Sequence, residues 1–344
     1  MQGAHGASDD RLDLELWERR LAELGQAVCA ALRARNVDLE RDSRVLRDDD
    51  GDSIFAIDVD AEELVLQHAE VWAQSGAFEL ICEGLEPAGN RSFGEGPSLA
   101  RVILDPIDGT RGLMFDKRSA WFLGAVAPDR GPTTSLQDIE VAVMVELPTS
   151  RQASSDLLVA QRGGGARGVR RDLRTGEELS FIPRPSRATE LRHGFATVCN
   201  FFQGGKELTS RLDEELMRRA LGGWTVGKAE VYTDQYISSG GQLAEVALGR
   251  DRFVLDARPL IHRALGHDDT LCSRPYDLCT AMVATEAGCV VTDPWLRPLD
   301  APLDTTTNVG FAAFANRELY AALGPLVLEA LQTCGLGHGA PGGR

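Results

Sequence analysis

LDPIDGTRGL, Leu104 to Leu113, closes an apolar run (Val102, Ile103, Leu104) on two aspartates three positions apart, with Gly109 and Thr110 directly behind them. A short apolar run reads as a buried strand, and one that ends on acids and a turn delivers carboxylates to the end of a sheet. Pro106 fixes φ and has no N–H, so the chain is expected to turn sharply after Asp105 and leave the Ile107 carbonyl free to point outward. Asp105, that carbonyl and Asp108 can then converge on one hard cation. Oxygen-only donors suit Mg²⁺ or Mn²⁺ better than zinc, and no histidine lies nearby in the chain. A bare D-x-x-D has a structural alternative, a turn satisfied by its own backbone.

Other acids stand at similar places. Phe78 to Cys82 is a second apolar run and ends on Glu83. Pro275-Tyr276-Asp277 opens a helix whose Ala281, Ala284, Ala287 and Gly288 allow close packing. Asp277 also sits where an N-cap would, but independent caps would not need acids at the ends of so many separate elements.

Composition limits what these acids serve. The 344 residues are 43% hydrophobic and 26% charged, the balance of a globular chain with one large or two ordinary domains. No apolar run approaches the roughly 18–20 residues that span a bilayer, and the polar, acidic N-terminus lacks a secretory pattern; a cytoplasmic location is expected. A formal net charge of −16 argues against nucleic-acid polymers and anionic membranes as partners. An anionic ligand would need a local inversion of that field, which a bound metal supplies. Seven scattered cysteines with no C-x-x-C spacing read as reduced, buried thiols.

Spacing predicts amphipathic helices from Leu12 to about Arg35 and from about Asp60 to Ser75, with a strand over Ser53–Val59 and Asp58 just before the second helix. Strands are expected at Ala120–Ala127, Glu140–Leu147 and Ser155–Gln161, the last followed by a tight turn at Gly163-Gly164-Gly165. Arg167 to Arg192, charged and carrying Pro183 and Pro185, reads as a connector. Beyond it, strands (Gly194–Cys199, Arg252–Asp256, Cys289–Thr292, Val309–Ala315) alternate with helices (Glu207–Leu221, Gln242–Leu248, Leu278–Ala287, Arg317–Cys334). The expected organisation is an N-terminal half over 1–185 with most of the metal ligands, a C-terminal half over 186–335, and a tail over 336–344.

DPIDGT (Asp105 to Thr110) and YDLCTAMVATEAGCVVTD (Tyr276 to Asp293) together resemble the two signatures of the inositol monophosphatase superfamily, which includes fructose-1,6-bisphosphatases and bisphosphate nucleotidases. Weaker similarity in FAIDVDAEE, ELICEG and VAQRGGGARG extends the resemblance over roughly residues 12–335. It implies an α/β (α+β) fold, a layered α-β-α-β-α sandwich. It implies that Glu83, Asp105, the Ile107 carbonyl, Asp108 and Asp277 bind two or three Mg²⁺ ions, with Mn²⁺ as a substitute. It further implies that Thr110, paired with Asp58, orients an attacking water near Glu83, and that Li⁺ inhibits. Gly109 and Thr110 N–H groups, at an expected helix N-terminus, suit phosphate oxygens.

The implied activity is Mg²⁺-dependent hydrolysis of a small phosphate ester, an inositol or sugar phosphate, by in-line attack of a metal-activated water. A homodimer is a candidate assembly. A 3′(2′),5′-bisphosphate nucleotidase is the alternative, because DPIDGTRG resembles that subgroup's DPIDGTKG and Gln242 falls at a shared glutamine. A catalytically silent metal-binding homologue is the third reading. Arg111, Lys117 and Arg118 follow the metal turn and are candidates for a second anionic group, Arg111 foremost. Three departures from the family pattern stand out: Gly84 and Cys289 where it often has glutamate and glycine, and Tyr276 in place of tryptophan. The segment between Asp256 and Asp277, with His262, His267, Asp268 and Asp269, is longer than the compact pattern and reads as an exposed loop beside the leaving-group pocket.

Overall fold

The computed structural model describes residues 12–34, 45–49, 52–85, 88–267 and 271–337. Helix α1 (Leu14–Ala34) buries Trp17, Leu21, Leu24 and Val28, the stripe its spacing predicts. A hairpin of β1 (Val45–Asp49) and β2 (Asp52–Phe55) leads into α2 (Ala56–Trp72). The strand expected over 53–59 therefore ends early, and Asp58 lies inside the first turn of α2 rather than before it. The buried residues Ile57, Ala61, Val65 and Ala69 recur every four positions, and that helical stripe already begins within the segment read as a strand.

Eight strands form the main sheet: β3 (Phe78–Cys82), β4 (Asn90–Phe93), β5 (Ala100–Asp108), β6 (Ala120–Pro128), β7 (Val141–Leu147), β8 (Ser154–Gln161), β9 (Ala166–Asp172) and β10 (Glu178–Phe181). Their order is β10-β9-β8-β7-β6-β5-β3-β4, antiparallel throughout except for the parallel pair β3–β5. β9 and β10 occupy the segment expected to be a connector. The inward residues at the start of β9 are Ala166 and Gly168, too small to mark a strand; Arg167 and Arg171 face the other way, and Arg170, on the same face as Gly168, pairs with buried Asp156 at 2.6 Å.

Along β6, Phe122 and Val126 face one core while Trp121, Leu123 and Ala125 face another, so the strand is buried on both sides. A five-residue helix, α3 (Thr110–Met114), follows β5. The second sheet has β11 (Phe195–Val198), β12 (Asp251–Asp256), β13 (Val290–Thr292) and β14 (Phe311–Phe314) in the order β11-β12-β14-β13. Its accompanying helices are α4 (Lys206–Leu221), α5 (Ser239–Ala247), α6 (Arg258–Ala264), α7 (Pro275–Leu278), α8 (Ala281–Glu286) and α9 (Arg317–Thr333).

Helices α1 and α2 pack on one face of the large sheet; α5, α7 and α8 fill the space between the sheets; α4 and α9 pack against the small sheet. The layers run α-β-α-β-α, as predicted. One core joins both sheets, Trp121 and Leu123 clustering with Leu243, Phe253 and Phe311.

Several local expectations change or gain a cause. The helix expected over 278–287 is broken into α7 and α8 around Cys279–Thr280. The segment after Asp256 is an exposed loop only in part: Arg258 to His262 are buried in α6, where Arg258 forms an ion pair with fully buried Asp256 at 2.6 Å, while Arg263 to His267 are exposed. His267 is exposed, and Asp268 and Asp269 lie outside the described residues. The glycine turn between β8 and β9 aims the Gly163 and Gly165 N–H groups at the Glu286 carboxylate, at 2.8 and 2.9 Å, and so ties that sheet edge to α8. All seven cysteines are free and buried. Leu336, expected in the tail, is buried, and its carbonyl accepts a hydrogen bond from Trp295. Among the described residues, no helix is long and apolar enough to cross a membrane.

Candidate metal centre

β5 does not turn after Asp105; it continues to Asp108 through a bulge. Asp105 pairs with Leu123 and Asp108 with Trp121, so three steps on β5 match two on β6. Residues three apart on a regular strand face opposite sides, and the extra residue puts them on the same side. Pro106 is tolerated there because a bulge has a ladder position without a hydrogen bond. Both carboxylates therefore follow Leu123 and Trp121 toward the space between the sheets, where α5 and α7 wait. On the neighbouring parallel strand, Ile81 pairs with Ile103 and Cys82 with Leu104, and the Glu83 N–H reaches the Leu104 carbonyl at 3.4 Å. Glu83 is thus next in register to Asp105.

Asp105 Oδ1 accepts the Ile107 N–H at 2.9 Å, which fixes the bulge from within. The Ile107 carbonyl, expected to be free, accepts the Thr110 hydroxyl at 2.8 Å. That same hydroxyl lies 3.1 Å from Asp58 Oδ1. It has one proton for two acceptors, so Asp58, Thr110 and the Ile107 carbonyl form one linked set across α2, α3 and β5. Because α3 has only five residues, the Gly109 and Thr110 N–H groups act as local donors with little macrodipole behind them.

Asp108 is held from the other layer. Its Oδ2 accepts the Ser238 hydroxyl at 2.9 Å and the Gly240 N–H at 2.7 Å, at the N-terminus of α5. Glycine is required at 240 because a Cβ there would lie 2.6 Å from both Leu123 methyls and 2.9 Å from Asp108 Oδ2. Asp277 both caps α7 and joins the cluster: its Oδ2 accepts the Arg274 N–H at 2.5 Å, and the donor oxygens of Asp105, Asp108 and Asp277 all lie within 4.8 Å of one another. Tyr276, beside it, reaches Glu83 Oε1 at 3.5 Å.

The turn before Asp277 rests on a buried polar relay. Ser273 Oγ contacts Ser239 Oγ at 2.7 Å and Asp256 Oδ2 at 2.9 Å, and Arg258 donates to both Ser273 and Asp256. Arg274 in turn bonds the Thr306 carbonyl and, at 2.6 Å, Asn308 Oδ1.

The electrostatics of the cluster fit a cation. Asp105 and Asp108 are 1% and 5% exposed. Burial, then the negative charges of Glu83, Asp108 and Asp277, push the Asp105 carboxyl well above its ordinary range against the single opposing pull of the Ile107 N–H. Burial pushes Asp108 up to about 6 despite the hydroxyl and N–H donors around it. Several carboxylates in a low-dielectric space repel one another unless they share protons or a counter-ion, and an all-oxygen set selects a hard divalent ion. Asp105, Asp108 and Asp277 are the groups that would hold it, with Glu83 and the Ile107 carbonyl at its edge.

The remaining expected site residues are placed differently. Gln242 is buried, its amide on the Cys199 thiol at 3.3–3.4 Å. Arg111 stacks over the Phe202 ring at 5.2 Å. Arg118 pairs with Asp234 and lies 3.9 Å over Tyr236, which ties the start of β6 to the segment before α5. Lys117 is exposed. Sequence reasoning missed Ser238, Gly240, Ser273 and Arg258. Only S-S-G-G ahead of a helical stripe, a small-residue N-terminus suited to receive a carboxylate, could have pointed to the first two.

The amino-acid sequence matches no protein-family profile and no curated protein. Among solved structures, fructose-1,6-bisphosphatase from Leishmania major is 13% identical over 93% of each chain, with a TM-score of 0.64. The extragenic suppressor protein suhB from Bartonella henselae is 16% identical over 90% of this chain and 97% of its own, with a TM-score of 0.61. Inositol monophosphatase from Anabaena is 17% identical over 94% and 97%, with a TM-score of 0.58. The chain has the inositol monophosphatase fold.

Within that fold the departures seen in the sequence take on local form. Gly84 has the Glu62 carboxylate lying against it. Tyr276 is buried and reaches Glu83, so the aromatic swap adds a polar contact. Cys289 is buried immediately before β13.

Proposed function

We propose that the protein is a Mg²⁺-dependent phosphomonoesterase acting on a small phosphate ester, an inositol or sugar phosphate, in the cytoplasm. The observation that carries this reading is the convergence of Asp105, Asp108 and Asp277 beside the Thr110–Asp58 pair. Divalent ions bound by the acids would lower the pKa of water and neutralise charge on the phosphoryl and leaving oxygens. The chain's own residues do the positioning. Asp58 holds the Thr110 hydroxyl so that an oxygen lone pair is available to orient a water. The N–H groups of Gly109 and Thr110 suit phosphate oxygens. Ser238 and Gly240 keep Asp108 in place, and the Arg274 N–H does the same for Asp277.

One observation favours a second reading, the bisphosphate nucleotide. Arg111 and Phe202 place a cation and an aromatic ring together, one residue beyond Thr110, and these groups suit a second phosphate and a base. The test is phosphate release with Mg²⁺ across inositol phosphates, sugar phosphates and 3′-phosphoadenosine 5′-phosphate. Turnover of one class that a chelator abolishes supports the reading, and Arg111→Ala should slow the bisphosphate selectively if the second reading is right. No release from any substrate returns the protein to a silent metal-binding homologue.

A further inference from the structure

The Glu83 side of the acid cluster borders a carboxylate that the mechanism above does not use. Glu62 lies one helical turn beyond Asp58 on α2, so the two side chains leave the same face of that helix. That face meets the start of α3, where Asp58 accepts the Thr110 hydroxyl. Glu62 reaches as far as the backbone after β3: a Cβ at position 84 would fall on Glu62 Oε1 and lie 3.0 Å from its Cδ. Gly84 has a φ of +77°, where side chains are disfavoured. Glycine at 84 thus leaves room for a carboxylate from α2 to lie over the residue that follows Glu83.

This carboxylate borders a cleft. Glu62, Glu83, Gly84 and Arg91 line a cleft of ≈ 200 Å³ between α2 and the β3–β4 edge.

We propose that Glu62 supplies a second carboxylate on the Glu83 side of the cation site, delivered by a helix across the gap that Gly84 leaves open. The proposal rests on reading the acid cluster as a cation site. Affinity for a hard divalent ion rises with the number of carboxylates that face it, so Glu62 adds to the hold on the ion nearest Glu83. Asp58 and Glu62, one turn apart, then give α2 two tasks at the same centre: one toward the Thr110 hydroxyl, one toward the cation.

The experiment is a Mn²⁺ titration of the full chain without substrate, read from the paramagnetic resonance of free Mn²⁺, on wild type, Glu62→Gln, Glu62→Asp and Asp105→Asn. Glu62→Gln should weaken at least one bound Mn²⁺ by about tenfold, the usual scale for an outer partner of a metal site. It should also reduce the Mg²⁺-induced rise in Tm. The metal-free Tm should stay level or rise, since a negative charge has left a crowded site. Glu62→Asp keeps the charge but draws it back by one methylene, and should fall in between. Unchanged Mn²⁺ affinity in Glu62→Gln alongside a loss in Asp105→Asn overturns the role of Glu62 and leaves the cluster intact. Unchanged affinity in both variants, or no binding by wild type, overturns the cluster reading and the proposal with it. A lower metal-free Tm with normal Mn²⁺ affinity makes Glu62 a structural residue and also overturns the proposal.

Discussion

The two sides of the acid cluster are built in opposite ways. On the sheet side, Glu83, Asp105 and Asp108 end two adjacent, buried strands, and strand register with a single bulge sets their spacing. On the far side, Asp277 sits on a four-residue helix whose place depends on polar contacts among Ser239, Ser273, Asp256 and Arg258. A hydrophobic core positions the first set, and a relay of buried hydrogen bonds positions the second. The first should therefore tolerate loss of charge without loss of fold, while the second should couple stability to metal affinity.

The sharpest way to break this contrast is Arg258→Met. It leaves Asp256, 0% exposed, without its ion-pair partner, and removing one member of such a pair typically costs about 3–5 kcal/mol. Urea unfolding should show that loss, and Mn²⁺ affinity should fall with it because Ser273 and the turn into Asp277 lose support. The double variant Asp256→Leu/Arg258→Met should recover part of the stability. If Arg258→Met unfolds at the wild-type urea concentration, the relay does not carry the loop side.

Asp105→Asn or Asp108→Asn tests the other half of the contrast. Each should lower kcat for phosphate release by at least about a hundredfold, with the metal-free Tm unchanged or higher. Wild-type turnover in either variant, or a large fall in metal-free Tm, would contradict a core-positioned ligand set.

Gly240→Ala is expected to have a smaller effect and lies at the junction of the two sides. The added Cβ meets Leu123 and the Asp108 carboxylate, an overpacking that typically costs about 1–3 kcal/mol. Thermal unfolding should show the loss together with weaker Mg²⁺ binding; a neutral result on both would mean that α5 has slack against β6.

How much of this was legible in the residues follows the same division. Val102-Ile103-Leu104 ahead of Asp105 announces a buried strand ending on acids, and Phe78 to Cys82 ahead of Glu83 does the same, because apolar periodicity is a local signal. The bulge is less visible: Pro106 marks an irregularity, but whether the chain turns or bulges depends on β6, fifteen residues on. The relay of Ser273, Asp256 and Arg258 is not legible at all. Polar residues in a segment without periodicity read as a surface loop, and their burial rests on partners distant in the chain, Ser239 on Ser273 and Phe201 under Arg258 at 4.6 Å. Asp58 was read as preceding its helix because Ile54-Phe55 reads as a strand, whereas the buried stripe from Ile57 onward makes the segment helical.

The smallest expected effect concerns pH. The folded-state pKa of Asp108 is raised from 3.8 to about 6, and that of Asp105 is also raised. The native state therefore binds more protons than the unfolded chain, and metal-free stability should fall as pH rises through that window. Thermal melts from pH 4 to 8 should show a shallower decline for Asp108→Asn than for wild type, and Mg²⁺ should flatten the wild-type curve. Parallel slopes with and without Mg²⁺ would mean that the carboxylates do not face the ion.

The central claim is that the carboxylates gathered at the end of β5 hold divalent cations. The most direct measurement is anomalous scattering from crystals grown with Mn²⁺. The account predicts peaks between Asp105, Asp108 and Asp277 and beside Glu83 that disappear in Asp105→Asn. Well-ordered carboxylates with no anomalous peak among them, or peaks only elsewhere on the molecule, would contradict it.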